Sequence, residues 1–297
     1  MRTVLERAGR AGPQRAEDLP IIVILPWRHG VLPRFVEIWR CRSLLPYIWK
    51  EFIVKRYRKT YLGLLWIPLK PGIDILSRTL LFGGFLQVGS GDRPYFIFIA
   101  FASAGWQVFD STLKWGTRAL QRGKSITAGL HFPGAAVMTG AIGPVAMDFV
   151  LYSGVAVIGI LYYLVVQGHN YLAPPSQMVV GVLGLALLLL FGLSISLFTA
   201  PITLITKEIR YALGYLTQFW YFITPVVYDI NHIPPKYRMI AEVNPITAPI
   251  EMVKFGFVST GPPTPVSLVS CFIGLTVLLL GGLWFFSRLE RAAVERL

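Results

Sequence analysis

The sequence predicts an all-α integral membrane protein with six transmembrane helices, an N-terminal amphipathic helix in the membrane interface, and an outer re-entrant helical segment between spans five and six. Three observations predict this class. Of 297 residues, 54% are hydrophobic and only 14% charged, against roughly 25% charged in an ordinary soluble domain. The apolar residues come in long runs, and about 20 of them cross the ~30 Å hydrocarbon layer as a helix. The basic residues are bunched, with 13 of the 28 Lys and Arg preceding Tyr61. Backbone groups find no water partner in lipid, so the long runs must be helical, whereas a barrel would need alternating strands.

Residues 1–33 read as a polar leader punctuated by Pro and Gly. Its one early apolar run, Ile21 to Leu25, is too short for a signal-peptide core. In residues 34–59, Phe35, Ile38, Trp39, Leu45, Ile48, Trp49, Phe52 and Ile53 recur at helical spacing opposite a basic set. That pattern describes a cytoplasmic helix lying in the interface, which Pro46 either splits or restarts. A transmembrane domain over 60–290 follows, with spans at about 62–88, 95–114, 135–166, 176–200, 211–229 and 265–287, then a cytoplasmic tail over 291–297.

Charge sets the orientation. With the N-terminus in the cytoplasm, Lys114, Arg118, Arg122, Lys124, Lys207, Arg210, Arg288, Arg291 and Arg296 also fall inside, giving 22 basic residues there. Only Arg93, Lys236, Arg238 and Lys254 fall outside, so both termini are expected in the cytoplasm. The net charge of +13 is thus a topology signal with anionic lipid as counter-surface, not a nucleic-acid footprint. Between spans five and six, residues 230–264 hold six prolines among apolar residues such as Met239, Ile240, Ile250 and Phe255. They read as two short helices dipping partly into the outer leaflet, tolerable only against protein or a watery cavity.

The motifs exclude more than they assign. Cys41 and Cys271 fall in unlike regions, which disfavours a structural disulfide and offers no metal site. Arg122-Gly123-Lys124-Ser125 ends like a phosphate-binding loop, but Arg118 stands where the first glycine belongs. The stretch 115–133 is better read as a short basic cytoplasmic element on which a soluble partner docks. No metalloprotease, serine-hydrolase or paired-acid signature is present, so neither a catalytic residue nor a metal is expected.

Within the first span, Lys70, Asp74 and Arg78 fall at i, i+4 and i+8 on one face with Trp66. Ionised groups near mid-bilayer cost about 2.5–3.5 kcal/mol each on insertion scales, so this face avoids lipid. It is either the polar wall of a translocation path or a ladder holding helices together. Asp148 in the third span reads as a helix-packing hydrogen bond more readily than as an ion site. The fifth span gathers Tyr211, Tyr215, Phe219, Trp220, Tyr221, Phe222 and Tyr228. That exceeds what two interfacial belts require, and aromatic faces stack on sugar rings. Gly154, Gly159, Gly181, Gly184, Gly192 and Ser196 permit close helix approach.

Several stretches together resemble the ABC-2 type permease subunits that export bacterial cell-surface polysaccharides such as O-antigen, capsule and teichoic acid. Residues 55–66, KRYRKTYLGLLW, with Pro71 after them, resemble the family's basic approach to the first span. Asp148-Phe149, the stretch Lys207-Glu208-Ile209-Arg210-Tyr211, and Pro225, Pro234 and Asn244-Pro245 follow in the family's order. The long leader, Pro68 with Lys70, and Lys207-Glu208 in place of Arg-Asp depart from its pattern.

The resemblance implies a homodimer of six-helix permeases in the bacterial plasma (inner) membrane. Each copy would dock a separate ABC ATPase subunit that carries ATP and Mg, with no cofactor in this chain. Arg118, Gln121, Arg122, Gly123 and Lys124 would then couple to the ATPase. Lys55, Arg56, Arg58, Lys59, Leu62 and Gly63 would form the gate that receives a lipid pyrophosphate. Trp66, Lys70, Asp74, Arg78, Tyr215, Phe219, Trp220, Phe222 and Tyr228 would line the channel for a lipid-linked polysaccharide. The rival expectations are an ABC-2 exporter of another lipid or drug, and a membrane-embedded transferase.

Overall fold

A computed structural model of the chain describes residues 45–57, 63–91, 93–127, 139–206 and 208–294. The polar leader 1–33 lies outside them. The described residues are helical and joined by short connections.

Pro46 lies in the first described turn of helix α1 (Leu45–Tyr57). Residues 34–44, the first part of the expected interfacial helix, lie outside the described residues. Two aromatic side chains anchor α1 to the body. The Trp49 indole donates to the Thr139 carbonyl (2.9 Å), and Phe52 is buried with Ala119, Leu120, Ala200 and Phe286.

Helix α2 (Gly63–Arg78) continues as a π-helical stretch, Thr79–Phe85. Pro68 and Pro71 sit inside α2 and remove two backbone donors, which weakens its register. Helix α3 (Tyr95–Thr127) is the hub of the fold. Its apolar stretch is 83% buried, against 17–33% for the other three long apolar helices. Those are α4 (Ile142–Gln167), α5 (Pro175–Ile205) and α9 (Pro265–Val294). Helices α4 and α5 pack on α3, and α9 packs on α5. Helix α4 stops at Gly168, whose left-handed φ of 69° suits glycine, and its N–H returns to the Leu164 carbonyl.

Helices α3, α4, α5 and α9 are long and apolar enough to cross a membrane, and the chain is a multi-pass membrane protein. The other two expected spans differ for physical reasons. Helix α2 carries Lys70, Asp74 and Arg78 along with its prolines. Helix α6 (Glu208–Ile223) has 16 residues, about 24 Å at 1.5 Å per residue and short of the ~30 Å layer.

Beyond α6 the chain unwinds through Thr224–Tyr228, forms a 3₁₀ turn at Ile230–His232, then α7 (Pro235–Val243) and α8 (Thr247–Val258). Two short helices therefore occupy the stretch between α6 and α9. Helix α8 is buried from Thr247 to Lys254 and packs against α3 and α5. It crosses α5 at Gly256 and Gly181. A Cβ on Gly256 would lie 2.2 Å from the Gly181 backbone nitrogen, so the crossing requires glycine. Gly192 is similarly tight against Thr112, whereas Gly154 faces open space and does not serve the close approach its sequence suggested.

Two sequence expectations change in detail. The second span does not end at Lys114, because α3 runs unbroken to Thr127. Residues 115–127 are thus its last turns and not a separate element, and 128–133 lie outside the described residues. Lys254, tallied as an outward charge, is buried: its Nζ donates to the Pro225 (2.9 Å) and Tyr228 (3.4 Å) carbonyls. These acceptors belong to the stretch where α6 has unwound, so the buried ammonium replaces the lost helical donors.

Candidate functional site: a polar and aromatic cleft between α2, α3 and α6

The first-span ladder resolves into a network between helices. Arg78 Nη2 lies 3.0 Å from Asp74 Oδ1, and Arg78 Nη1 donates to Ser103 Oγ on α3 (3.0 Å). The Tyr152 hydroxyl on α4 donates to Asp74 Oδ2 (2.9 Å). The Arg78 guanidinium carbon stands 4.5 Å from the centroid of the Tyr221 ring on α6. Lys70 is exposed on the same helix, and the Trp66 side chain is outside the described set.

A second polar row runs down α3. Lys114 Nζ pairs with Asp110 Oδ1 at 2.7 Å, and Gln107 Nε2 donates to Ser111 Oγ (2.7 Å). Ser111 Oγ in turn donates to the buried Asp148 Oδ2 (2.7 Å), the packing bond expected of Asp148. The two rows border a cavity of about 260 Å³, closed by Leu81 and Phe82 of the π stretch and by Thr217, Gln218, Tyr221 and Phe222 of α6. Trp106 on α3 meets Tyr221 edge-on at 5.3 Å, and Tyr221 meets Phe222 at 5.4 Å, giving the cleft an aromatic back wall.

The fifth-span aromatics divide between two faces of α6. Tyr221 is buried, and Trp220 packs edge-on to Phe109 and donates its indole N–H to Asn244 Oδ1 (3.0 Å). Asn244 Nδ2 then donates to Thr224 Oγ1 (2.8 Å), tying the unwound end of α6 to the start of α8. On the opposite face Tyr211, Tyr215, Phe219 and Phe222 are exposed, Phe219 by 76%. They recur at i, i+4, i+8 and i+11 as one continuous aromatic stripe. The Tyr228 hydroxyl donates to the Phe222 and Ile223 carbonyls and closes the helix end.

The other site residues are placed as follows. Gln121 Nε2 on α3 donates to the Thr203 carbonyl of α5 (2.7 Å), and the Arg122 guanidinium lies 4.0 Å over the Trp115 ring. Arg118 is half-buried one turn above. Gly123 and Lys124 belong to the last turns of α3, Lys55 and Arg56 to α1, and Gly63 opens α2. Arg58, Lys59 and Leu62 lie outside the described residues. Sequence reasoning missed Gln107, Asp110 and Gln218. Gln107, Asp110 and Lys114 share the i, i+3, i+7 spacing of one helix face, the same signal that singled out Asp74 and Arg78. Among the described residues, no group of three or more His, Cys, Asp and Glu is placed to hold a metal ion.

No known family profile matches the chain. A curated protein does: the O-antigen export system permease protein RfbA of Myxococcus xanthus is 26% identical over 198 residues, covering 66% of this chain and 72% of the relative. The chain is a relative of an O-antigen export permease. The resemblance carried by the motifs therefore stands, and it is a resemblance to a transport component rather than to an enzyme.

Proposed function

We propose that the chain is the permease subunit of an ATP-driven ABC exporter that moves a lipid-linked polysaccharide across the bacterial inner membrane. The similarity to the Myxococcus O-antigen permease carries this reading. The cleft supports it: paired charges, amides and aromatic rings on three helices match a polyhydroxylated chain better than an apolar lipid.

In this reading α2 and α6 are the first and fifth of six spans. Their shortcomings as lipid-facing helices are what a channel-lining helix tolerates, since charges and broken backbone persist only beside protein or water. A homodimer brings two copies of the α6 stripe (Tyr211, Tyr215, Phe219, Phe222) to a shared path. Both termini are cytoplasmic, and the α7–α8 segment lies in the outer leaflet. The last turns of α3, with Arg118, Gln121, Arg122, Gly123 and Lys124, receive the motion of a partner ATPase that binds ATP and Mg. The basic stretch Lys55, Arg56, Arg58 and Lys59 draws the lipid pyrophosphate toward Leu62 and Gly63.

Two measurements test the proposal. Co-expression with the ATPase encoded beside it is expected to yield a two-plus-two complex with ATPase activity. Deletion of the chain is expected to remove surface polysaccharide. A stably folded chain that binds no ATPase, with surface glycan intact after deletion, would reject the reading.

A further inference from the structure

The two charged rows bordering the cleft cancel. Arg78 has Asp74 one turn away on α2 at 3.0 Å, and Lys114 has Asp110 one turn away on α3 at 2.7 Å. Because each pair lies within a single helix, neutrality survives any movement of α2 against α3. The cleft nevertheless keeps unused hydrogen-bonding capacity. Lys114 is 35% exposed and its ammonium meets both Asp110 oxygens (2.7 and 2.8 Å), which leaves one of its three hydrogens over, and Gln218 is exposed. Among the described residues no hydrogen bond engages Gln218, and Gln107 uses only its NH₂ group, leaving its carbonyl oxygen open. Rings of Phe82 and Phe222 border the same space.

We propose that this cleft is a subsite for one sugar residue of the exported chain, and that it selects a neutral sugar over an acidic one. The inference rests on the export reading above and names which units that path accepts. A volume of about 260 Å³ lies just below the usual range of small-molecule pockets, roughly 300–1,000 Å³, and fits a single ring rather than a longer stretch. Hydroxyls of a neutral ring bond to the open amides and the remaining ammonium hydrogen without disturbing any contact. A sugar carboxylate, in contrast, needs a cation of its own. Beside Lys114 it adds a negative charge that the neutral pair cannot balance, and taking Lys114 for itself leaves Asp110, 14% exposed, without its cation. Aromatic faces accept the C–H side of the ring and tolerate its passage, since stacking has no directional hydrogen bond to break.

The test uses the full chain in lipid nanodiscs and saturation-transfer NMR. The neutral probes are the methyl glycosides of glucose, galactose and mannose, and the acidic probe is methyl glucuronide. Transfer is expected to at least one neutral glycoside, with glucuronide weaker by about threefold or more, the scale of one half-exposed ionic contact. Gln218→Leu, at an exposed position that the fold does not use, should remove most of the neutral signal. Asp110→Asn leaves Lys114 uncompensated and should bring glucuronide up to the neutral signal. Adding Lys114→Gln to Asp110→Asn should return it to the wild-type ratio, which separates charge from any disturbance of folding. Glucuronide equal to or above the neutral probes in the wild type, no transfer to any probe, or indifference to Gln218→Leu each overturns the subsite. Surface glycan in the deletion strain is scored separately, so failure of the cleft is distinguishable from failure of the export reading.

Discussion

Arg78 and Tyr221 are 143 positions apart in the chain, yet the guanidinium carbon sits 4.5 Å from the centre of the phenol ring. The contact ties the proline-bearing α2 to the short α6, the two expected spans that are not long and apolar enough to cross a membrane. It is one arm of a network in which Arg78 also holds Asp74 and Ser103.

Arg78→Met is expected to destabilise the protein because Asp74 would then be held without its cation. Breaking a buried pair costs roughly 3–5 kcal/mol, and the partial exposure of Arg78 (23%) and Asp74 (30%) reduces the expected loss to about 2 kcal/mol. The double variant Arg78→Met/Asp74→Leu should lose less than Arg78→Met alone. Thermal unfolding in detergent measures both, and strictly additive losses would show that the pair is not coupled.

Gly256→Ala should prevent α8 from seating on α5, because the new methyl would meet the Gly181 backbone and no side chain can turn aside. Overpacking of this kind costs about 1–3 kcal/mol or more. Gly154→Ala has open space instead, and should be neutral or stabilising by up to about 1 kcal/mol. Equal yields of folded protein from the two variants would contradict the close crossing.

Glu251 on α8 predicts a pH dependence. Burial raises its carboxyl from 4.5 to about 7, and the charge of Lys254 only partly offsets this. The folded state therefore holds a proton that the unfolded chain releases at lower pH. Its contribution is fully present below about 4.5, falls as pH rises through about 7, and is level above that. Glu251→Gln removes this dependence and should raise stability at pH 8 relative to wild type by on the order of 2–3 kcal/mol, with little gain at pH 4.5. Melting curves at the two pH values decide it, and a larger gain at the lower pH would reverse the assignment.

If the cluster captures substrate as proposed above, neutralising Lys55, Arg56, Arg58 and Lys59 together should cut surface polysaccharide severalfold while leaving assembly with the partner ATPase intact. Raised ionic strength should weaken export in the same direction in a reconstituted system. Unchanged surface glycan in the fourfold variant would remove these residues from substrate capture.

The sequence by itself determined the solvent and the class. Long apolar runs with few charges leave a backbone no option but the helix in lipid, and α3, α4, α5 and α9 are legible for that reason. The first-span charges and the fifth-span aromatics were legible too, as helix faces, because helical spacing is a local property. Only the tertiary structure decided what those faces touch. It divided the α6 aromatics into Trp220 and Tyr221 against α3 and an exposed stripe on the other side. It buried Lys254 against carbonyls freed by unwinding that no local pattern announces. It also brought Asp110 and Lys114, a pair like many on ordinary helices, to the edge of the same cleft as Arg78. Periodicity fixes a residue's direction on its own helix, but partners at that face depend on how helices cross, and crossings are set by close approaches such as Gly181 with Gly256.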